Sequence, residues 1–205
     1  MGLELRVVGK GKREQAIELF QTDYINFGAF FMNTRTRKEL FSHKKIDERV
    51  KELGKQISHD YGDKPILLVG ILKGAFVFMA DLARNIDLPC HVDFVRISSY
   101  GDQTVTSGNL KIIMDVSLPV EGKDVILVDD IVDTGLTLHQ YGEYLKSRNP
   151  NSLKTAALID KKARREKFVE LDYCGFQVED GFIVGYGLDC GEEFRNLNGL
   201  YILED

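Results

Sequence analysis

Val125 to Leu138 reads VILVDDIVDTGLTL, an apolar run that leads into three carboxylates, Asp129, Asp130 and Asp133, and then a Thr/Gly-rich turn. In open α/β sheets, ligands bind beyond the carboxyl ends of the strands, which is where Asp129 and Asp130 would stand. A helix opening there offers unpaired N–H groups and partial positive charge, which suits a phosphate. Gly135 lets the backbone approach such a group closely, and the Thr134 and Thr137 hydroxyls can donate to its oxygens. Two adjacent carboxylates would repel a phosphate, so their partners are sugar hydroxyls or a hydrated Mg²⁺ beside it. The segment thus asks for an anion and a polyol together, and a ribose phosphate satisfies both. One carboxylate here would read as a helix cap or a strand end; three with a DTGxT turn call for a ligand.

The elements that must position this segment follow from apolar spacing. Ile46, Val50, Leu53 and Ile57 recur at helical intervals among charged residues, which predicts an amphipathic helix. Pro65 to Gly70 is a short unbroken apolar run bounded by turn residues, as in a strand buried on both faces. After Lys73-Gly74 a second helix carries Phe78, Met79, Leu82 and Ile86 on one side, and His91 to Ser98 reads as a strand. Tyr100 to Asn109 is polar and rich in Gly, Ser and Thr, the composition of a mobile loop of lid length. Val125 to Val128 is a buried strand, Leu138, Tyr141 and Leu145 share a helix face, and Lys154 to Ile159 is again a strand. Phe182 to Gly187 and Leu200 to Leu203 add two apolar runs. Strands alternating with helices predict an α/β domain with a mostly parallel sheet.

The VDDIVDTGLTL segment resembles the phosphoribosyl-pyrophosphate motif of type I phosphoribosyltransferases, in the form carried by hypoxanthine-guanine phosphoribosyltransferases. The resemblance runs from about Ile46 to the C-terminus and recurs at five stations in the family's order. It implies a twisted, mostly parallel sheet flanked by helices, a small hood built from N- and C-terminal segments, and a flexible lid loop. Residues 1–45 are then an N-terminal extension, part of the hood or of subunit packing, and 46–205 the phosphoribosyltransferase domain.

Each station implies roles for residues of this chain. At Leu72-Lys73-Gly74 the family's backbone contacts pyrophosphate, often through a cis non-proline peptide. Ser98-Ser99-Tyr100 and the loop through Asn109 resemble the lid, with Ser99 and Tyr100 as its site residues. At the acidic motif the resemblance places Asp129 and Asp130 on the ribose hydroxyls, Asp133 near the purine five-membered ring as general base, and Asp133, Thr134, Gly135, Leu136 and Thr137 around the 5′-phosphate. Lys161, at the end of ALIDK, is implied to donate to the 6-oxo group, since an ammonium has donors only and cannot satisfy an exocyclic amine. Alone it would read as one member of the basic run Lys161, Lys162, Arg164, Arg165. In the DGFIVGYGLD and FRNL stretches, Phe182 resembles the aromatic that stacks on the purine and Ile183 contributes backbone contacts to its edge. Asp189 reaches Mg²⁺, with Asp129 and Asp130 as further candidate metal ligands, and Arg195 meets pyrophosphate. The chain departs from the pattern at Asp129, where many relatives carry Glu, and at Cys190, where an aromatic is common.

The implied activity is purine salvage: Mg²⁺-dependent transfer of the 5-phosphoribosyl group from phosphoribosyl pyrophosphate to hypoxanthine or guanine. Alternatives are a xanthine-preferring relative or a phosphoribosyl-pyrophosphate-sensing regulatory protein that binds RNA or DNA. The whole-chain chemistry weighs against the regulator. A formal net charge of -5 argues against a large nucleic-acid footprint, which needs a clustered cationic face. Only 4 prolines and 43% hydrophobic residues in 205 describe a globular chain with one core. Three cysteines with no CxxC pair suggest neither disulfides nor zinc. No apolar run nears the ~20 residues of a membrane span, so a soluble protein is expected, and the cysteine pattern makes a reducing cytoplasm the expected compartment. The family resemblance further implies a homodimer or homotetramer.

Overall fold

The structure, a computed structural model, describes residues 36–98 and 111–204. Ser99 and Tyr100, expected as lid residues, and most of the expected N-terminal extension lie outside the described residues. Residues 38–202 form one compact unit. Of the other, only residues 36, 37, 203 and 204 are described, and the Glu204 N–H donates to the Thr36 carbonyl at 3.0 Å.

The elements run β1 (Arg37–Phe41), α1 (His43–Tyr61), β2 (Ile66–Leu72), α2 (Phe76–Arg84), β3 (Cys90–Ser98), β4 (Lys111–Met114), β5 (Asp124–Val132), α3 (Leu136–Lys146), β6 (Ser152–Lys161), β7 (Tyr173–Val178), β8 (Phe182–Val184) and β9 (Leu200–Leu203). Six strands form one sheet in the order β4-β3-β2-β5-β6-β7, parallel except for the antiparallel β3–β4 pair. A smaller sheet, β1-β9-β8, joins the first described strand to the last two and makes the hood.

The unbroken apolar runs are explained by burial on both faces, because successive side chains of a strand point to opposite sides. Leu68, Ile126, Val128, Ala156 and Leu158 pack into one core with Ile46, Val50, Leu53 and Ile57 of α1 and Phe78, Met79 and Leu82 of α2. Leu67, Val69, Val125, Leu127 and Ala157 pack into a second with Leu138, Tyr141 and Leu145 of α3. Thus β2 leads to a helix in one core and the adjacent β5 to a helix in the other, which makes the space beyond their carboxyl ends a topological switch point.

Two departures from the sequence reading have local causes. The predicted run Phe182 to Gly187 is a strand only to Val184, because Gly185, at φ 96°, turns the chain and its N–H bonds Leu188 at 3.0 Å. Ile86, expected on the α2 face, lies past the helix end yet is buried in the same core as Phe78.

Candidate active site

Three strands deliver chemistry to one edge of the sheet. The register pairs Asp129 with Ala157 and Val132 with Asp160, so the acidic motif on β5 and Lys161 on β6 end side by side. On the other flank of β5, Gly70 of β2 pairs with Val128, and the chain leaves β2 through Leu72-Lys73-Gly74. The Leu72–Lys73 peptide is cis.

Close backbone approach ties these segments together. A Cβ built on Gly74 would stand 1.7 Å from Asp130 Oδ2, and one on Gly187 would stand 2.1 Å from the Gly74 carbonyl oxygen. Only glycine at both positions lets the β2 turn, the acidic pair and the Gly185–Leu188 turn meet. Gly135 has the same constraint doubled: its φ is 80°, and a Cβ there would meet the Lys167 carbonyl at 2.4 Å.

Asp129 is 8% exposed, and its Oδ1 accepts the Asp130 N–H at 3.1 Å. Burial, reinforced by the Asp130 charge beside it, pushes the Asp129 carboxyl well above the usual carboxylate range. Burial raises Asp130 as well. Two carboxyls so placed favour a cation or donor hydroxyls between them.

Beyond them the chain folds into a cradle. Asp129, Val132, Asp133, Thr134, Gly135 and Thr137 line much of a cavity of about 110 Å³. Thr134 Oγ1 accepts the Leu136 N–H at 3.3 Å, which leaves its own proton free to donate. Asp133 Oδ2 lies 3.3 Å from Arg164, while its Oδ1 is buried with no partner among the described residues.

The basic run divides. Lys161 is 7% exposed, and its ammonium donates to the Gly181 carbonyl at 3.0 Å and pairs with Asp180 at 3.1 Å. Those contacts hold it beside Phe182, which is 56% exposed, whereas Ile183 is buried in the core and offers only its backbone. Phe182 is therefore not a core residue, as a phenylalanine in a strand usually is. Farther along, Arg195 donates to the Gly187 carbonyl and pairs with Asp189, both at 2.8 Å.

A known family model, the phosphoribosyl transferase domain, matches residues 36–190. The chain belongs to the phosphoribosyl transferase family. It is 48% identical over 169 residues to a hypoxanthine-guanine phosphoribosyltransferase from Aquifex aeolicus, covering 82% of this chain and 95% of that one. A protein of the same name from Dictyostelium discoideum is 51% identical over 166 residues, 79% of this chain and 92% of its own. Among solved structures, a hypoxanthine-guanine phosphoribosyltransferase from Bacillus anthracis aligns with a TM-score of 0.78 at 43% identity, covering 82% of this chain and 98% of that one.

One residue of this phosphoribosyltransferase site was hidden in the sequence. Arg165, read there as part of a solvated basic run, donates to the Asp133 and Val132 carbonyls, each at 3.0 Å, and to Asp160 Oδ1 at 2.5 Å. The Glu166 and Lys167 N–H groups close on the Thr134 carbonyl at 2.9 and 3.0 Å. Residues 165–167 thus clamp the cradle from behind. No local signal separates Arg165 from Arg164, because the two acidic-motif carbonyls that it holds lie about thirty positions upstream.

The donor set fits a magnesium ion carried in with its ligand. Among the described residues no group of three His, Cys, Asp or Glu side chains could hold a metal alone. Asp129 and Asp130 adjoin, while both Asp189 oxygens are engaged, by Arg195 and by the Glu192 N–H at 2.8 Å. Mg²⁺ keeps several waters and binds through one or two carboxylates plus phosphates rather than in an all-protein cage.

No helix among the described residues is long and apolar enough to cross a membrane. The three cysteines form no disulfide.

Proposed function

We propose that this phosphoribosyltransferase joins hypoxanthine or guanine to 5-phosphoribosyl-1-pyrophosphate, releasing pyrophosphate and forming the nucleoside monophosphate for purine salvage. The observation that carries the reading is the convergence of a phosphate cradle, a buried carboxylate pair and a buried lysine beside an exposed phenylalanine at one sheet edge. The named relatives, at 48% and 51% identity, support the same activity.

In this reading the N–H groups and hydroxyls of residues 133–137 anchor the 5′-phosphate. That remote contact holds the anomeric carbon in line with the base. Asp129 and Asp130 hold the ribose hydroxyls. The Lys73-Gly74 backbone and Arg195 take the pyrophosphate, while Phe182 stacks on the purine and the Ile183 backbone meets its edge. As the bond from the anomeric carbon to pyrophosphate breaks, the bond to a nitrogen of the five-membered ring forms, and Asp133 accepts the proton that ring gives up. When bound, Mg²⁺ supplies charge neutralisation at the pyrophosphate, with Asp129, Asp130 and Asp189 the residues that would hold it or its waters. Ser99 and Tyr100 would close over the centre and exclude water from the ribosyl cation. Exposed Phe76, Val92, Ile113 and Met114 supply apolar surface for a homodimer or homotetramer.

Lys161 tests the base-side half. A Lys161→Met protein keeps the bulk but removes every donor, so the 6-oxo group loses a charge-assisted bond worth about 1.5–3 kcal/mol. The KM for guanine and hypoxanthine is expected to rise about tenfold to a hundredfold, with the KM for phosphoribosyl pyrophosphate nearly unchanged. An unchanged base KM would remove Lys161 from purine recognition.

A further inference from the structure

The ammonium of Lys73, whose backbone is read above as a pyrophosphate contact, and the guanidinium of Arg195, read above as a pyrophosphate ligand, converge on a single oxygen. Glu192 Oε2 lies 2.9 Å from Lys73 Nζ and 3.4 Å from an Arg195 guanidinium nitrogen. The backbone puts it there. Glu192 has a φ of 71°, uncommon for a residue with a side chain, and its N–H is fixed on Asp189 Oδ2 at 2.8 Å. The hydrogen bond from Lys73, helped by the Arg195 charge, holds the exposed Glu192 carboxyl below its ordinary value, so it is an anion at neutral pH.

Carboxylate and phosphate oxygens are interchangeable acceptors for ammonium and guanidinium groups. A pyrophosphate that takes these donors must therefore displace Glu192 or share them against its negative charge. We propose that Glu192 is a built-in competitor for pyrophosphate, which weakens that group's hold on Lys73 and Arg195 and so speeds release of the product. The proposal rests on the assignment of Arg195 and the Lys73 backbone to pyrophosphate, and adds the Lys73 ammonium as a second donor to it. It gives Glu192 the role of a positioning residue that sets the affinity of one subsite and leaves the purine subsite alone. The carboxylate is exposed, so the effect is that of two unit charges a few ångström apart in water, about fivefold.

The test is product inhibition by pyrophosphate, measured on the full chain with Mg²⁺ and guanine, comparing the native protein with Glu192→Gln and Lys73→Gln. For Glu192→Gln the inhibition constant of pyrophosphate is expected to fall about fivefold. The KM for phosphoribosyl pyrophosphate should fall with it, the KM for guanine should hold, and the difference should shrink in high salt. Lys73→Gln should move the pyrophosphate constant upward, and adding Glu192→Gln to it should have a smaller effect than in the native background. If Lys73→Gln weakens pyrophosphate but Glu192→Gln leaves it unchanged or weaker, the competitor role is overturned and the pyrophosphate assignment stands. If neither substitution moves the constant, the Lys73 ammonium and Glu192 play no part at pyrophosphate and the proposal fails, while the backbone and Arg195 assignment is left standing.

Discussion

Replacing Asp133 with asparagine is expected to lower kcat by about a hundredfold to ten-thousandfold, the range that a general base contributes. Asparagine has the same shape and can still accept from Arg164, which lies 3.3 Å from Asp133 Oδ2. The Asp133 carbonyl, held by Arg165 at 3.0 Å, is untouched, so the cradle keeps its course. What disappears is the capacity of the buried, unpartnered Oδ1 to accept a proton. Steady-state kinetics with guanine should therefore show a loss confined to kcat, with both KM values nearly constant. Full turnover by Asp133→Asn would remove the general-base role, and a loss confined to KM would make Asp133 a binding residue.

The largest effect on stability is expected at Arg165. Its guanidinium is 17% exposed and meets Asp160, 8% exposed, at 2.5 Å, while also satisfying two carbonyls of the acidic motif. Arg165→Ala leaves the buried Asp160 carboxylate with only the exposed Lys162 ammonium, 3.8 Å away, and unpairs those carbonyls. Breaking a buried pair from one side costs about 3–5 kcal/mol, which corresponds to a fall in Tm of roughly 6–20 °C for a chain of this size. An Arg165→Ala, Asp160→Asn double variant should recover part of the loss, because the stranded charge is gone. Thermal unfolding of the three proteins decides the matter. A single variant that melts within about 2 °C of the native protein would show that the clamp adds nothing.

Much of the sheet was legible because strands buried on both faces write themselves as unbroken apolar runs. The Ile66–Leu72 and Asp124–Val132 strands carry such runs and stand at the centre of the order. The acidic motif was legible for a different reason: three carboxylates, a glycine and two hydroxyls within nine residues have no structural use together. Strands at the margins left weaker marks. Lys111–Met114 has four residues at a sheet edge, two of them apolar yet half exposed, and Tyr173–Val178 is interrupted by Gly175. Neither offers a clean period.

Within the site, the residues most readable from the sequence alone are those that shape their own segment. Thr134, Gly135 and Thr137 belong to the turn they shape. Arg165 and Glu192 escaped because one deciding partner of each, the Val132 and Asp133 carbonyls and Lys73, is distant in the chain, and because a φ of 71° at Glu192 is invisible in its residue type. Lys161 lies between these cases. Its place at the end of a buried strand was readable, yet its burial at 7% exposure, unlike that of exposed Lys162, depends on Gly181 and Asp180 closing over it.

Nucleotide formation by the purified protein, with phosphoribosyl pyrophosphate and Mg²⁺ and with guanine, hypoxanthine, xanthine, adenine and uracil offered separately, tests the central claim most directly. The expected result is turnover of guanine and hypoxanthine, none of adenine or uracil, and release of one pyrophosphate per nucleotide. Tight binding of phosphoribosyl pyrophosphate without turnover of any base would contradict the claim and leave a sensor of that ligand in place of an enzyme.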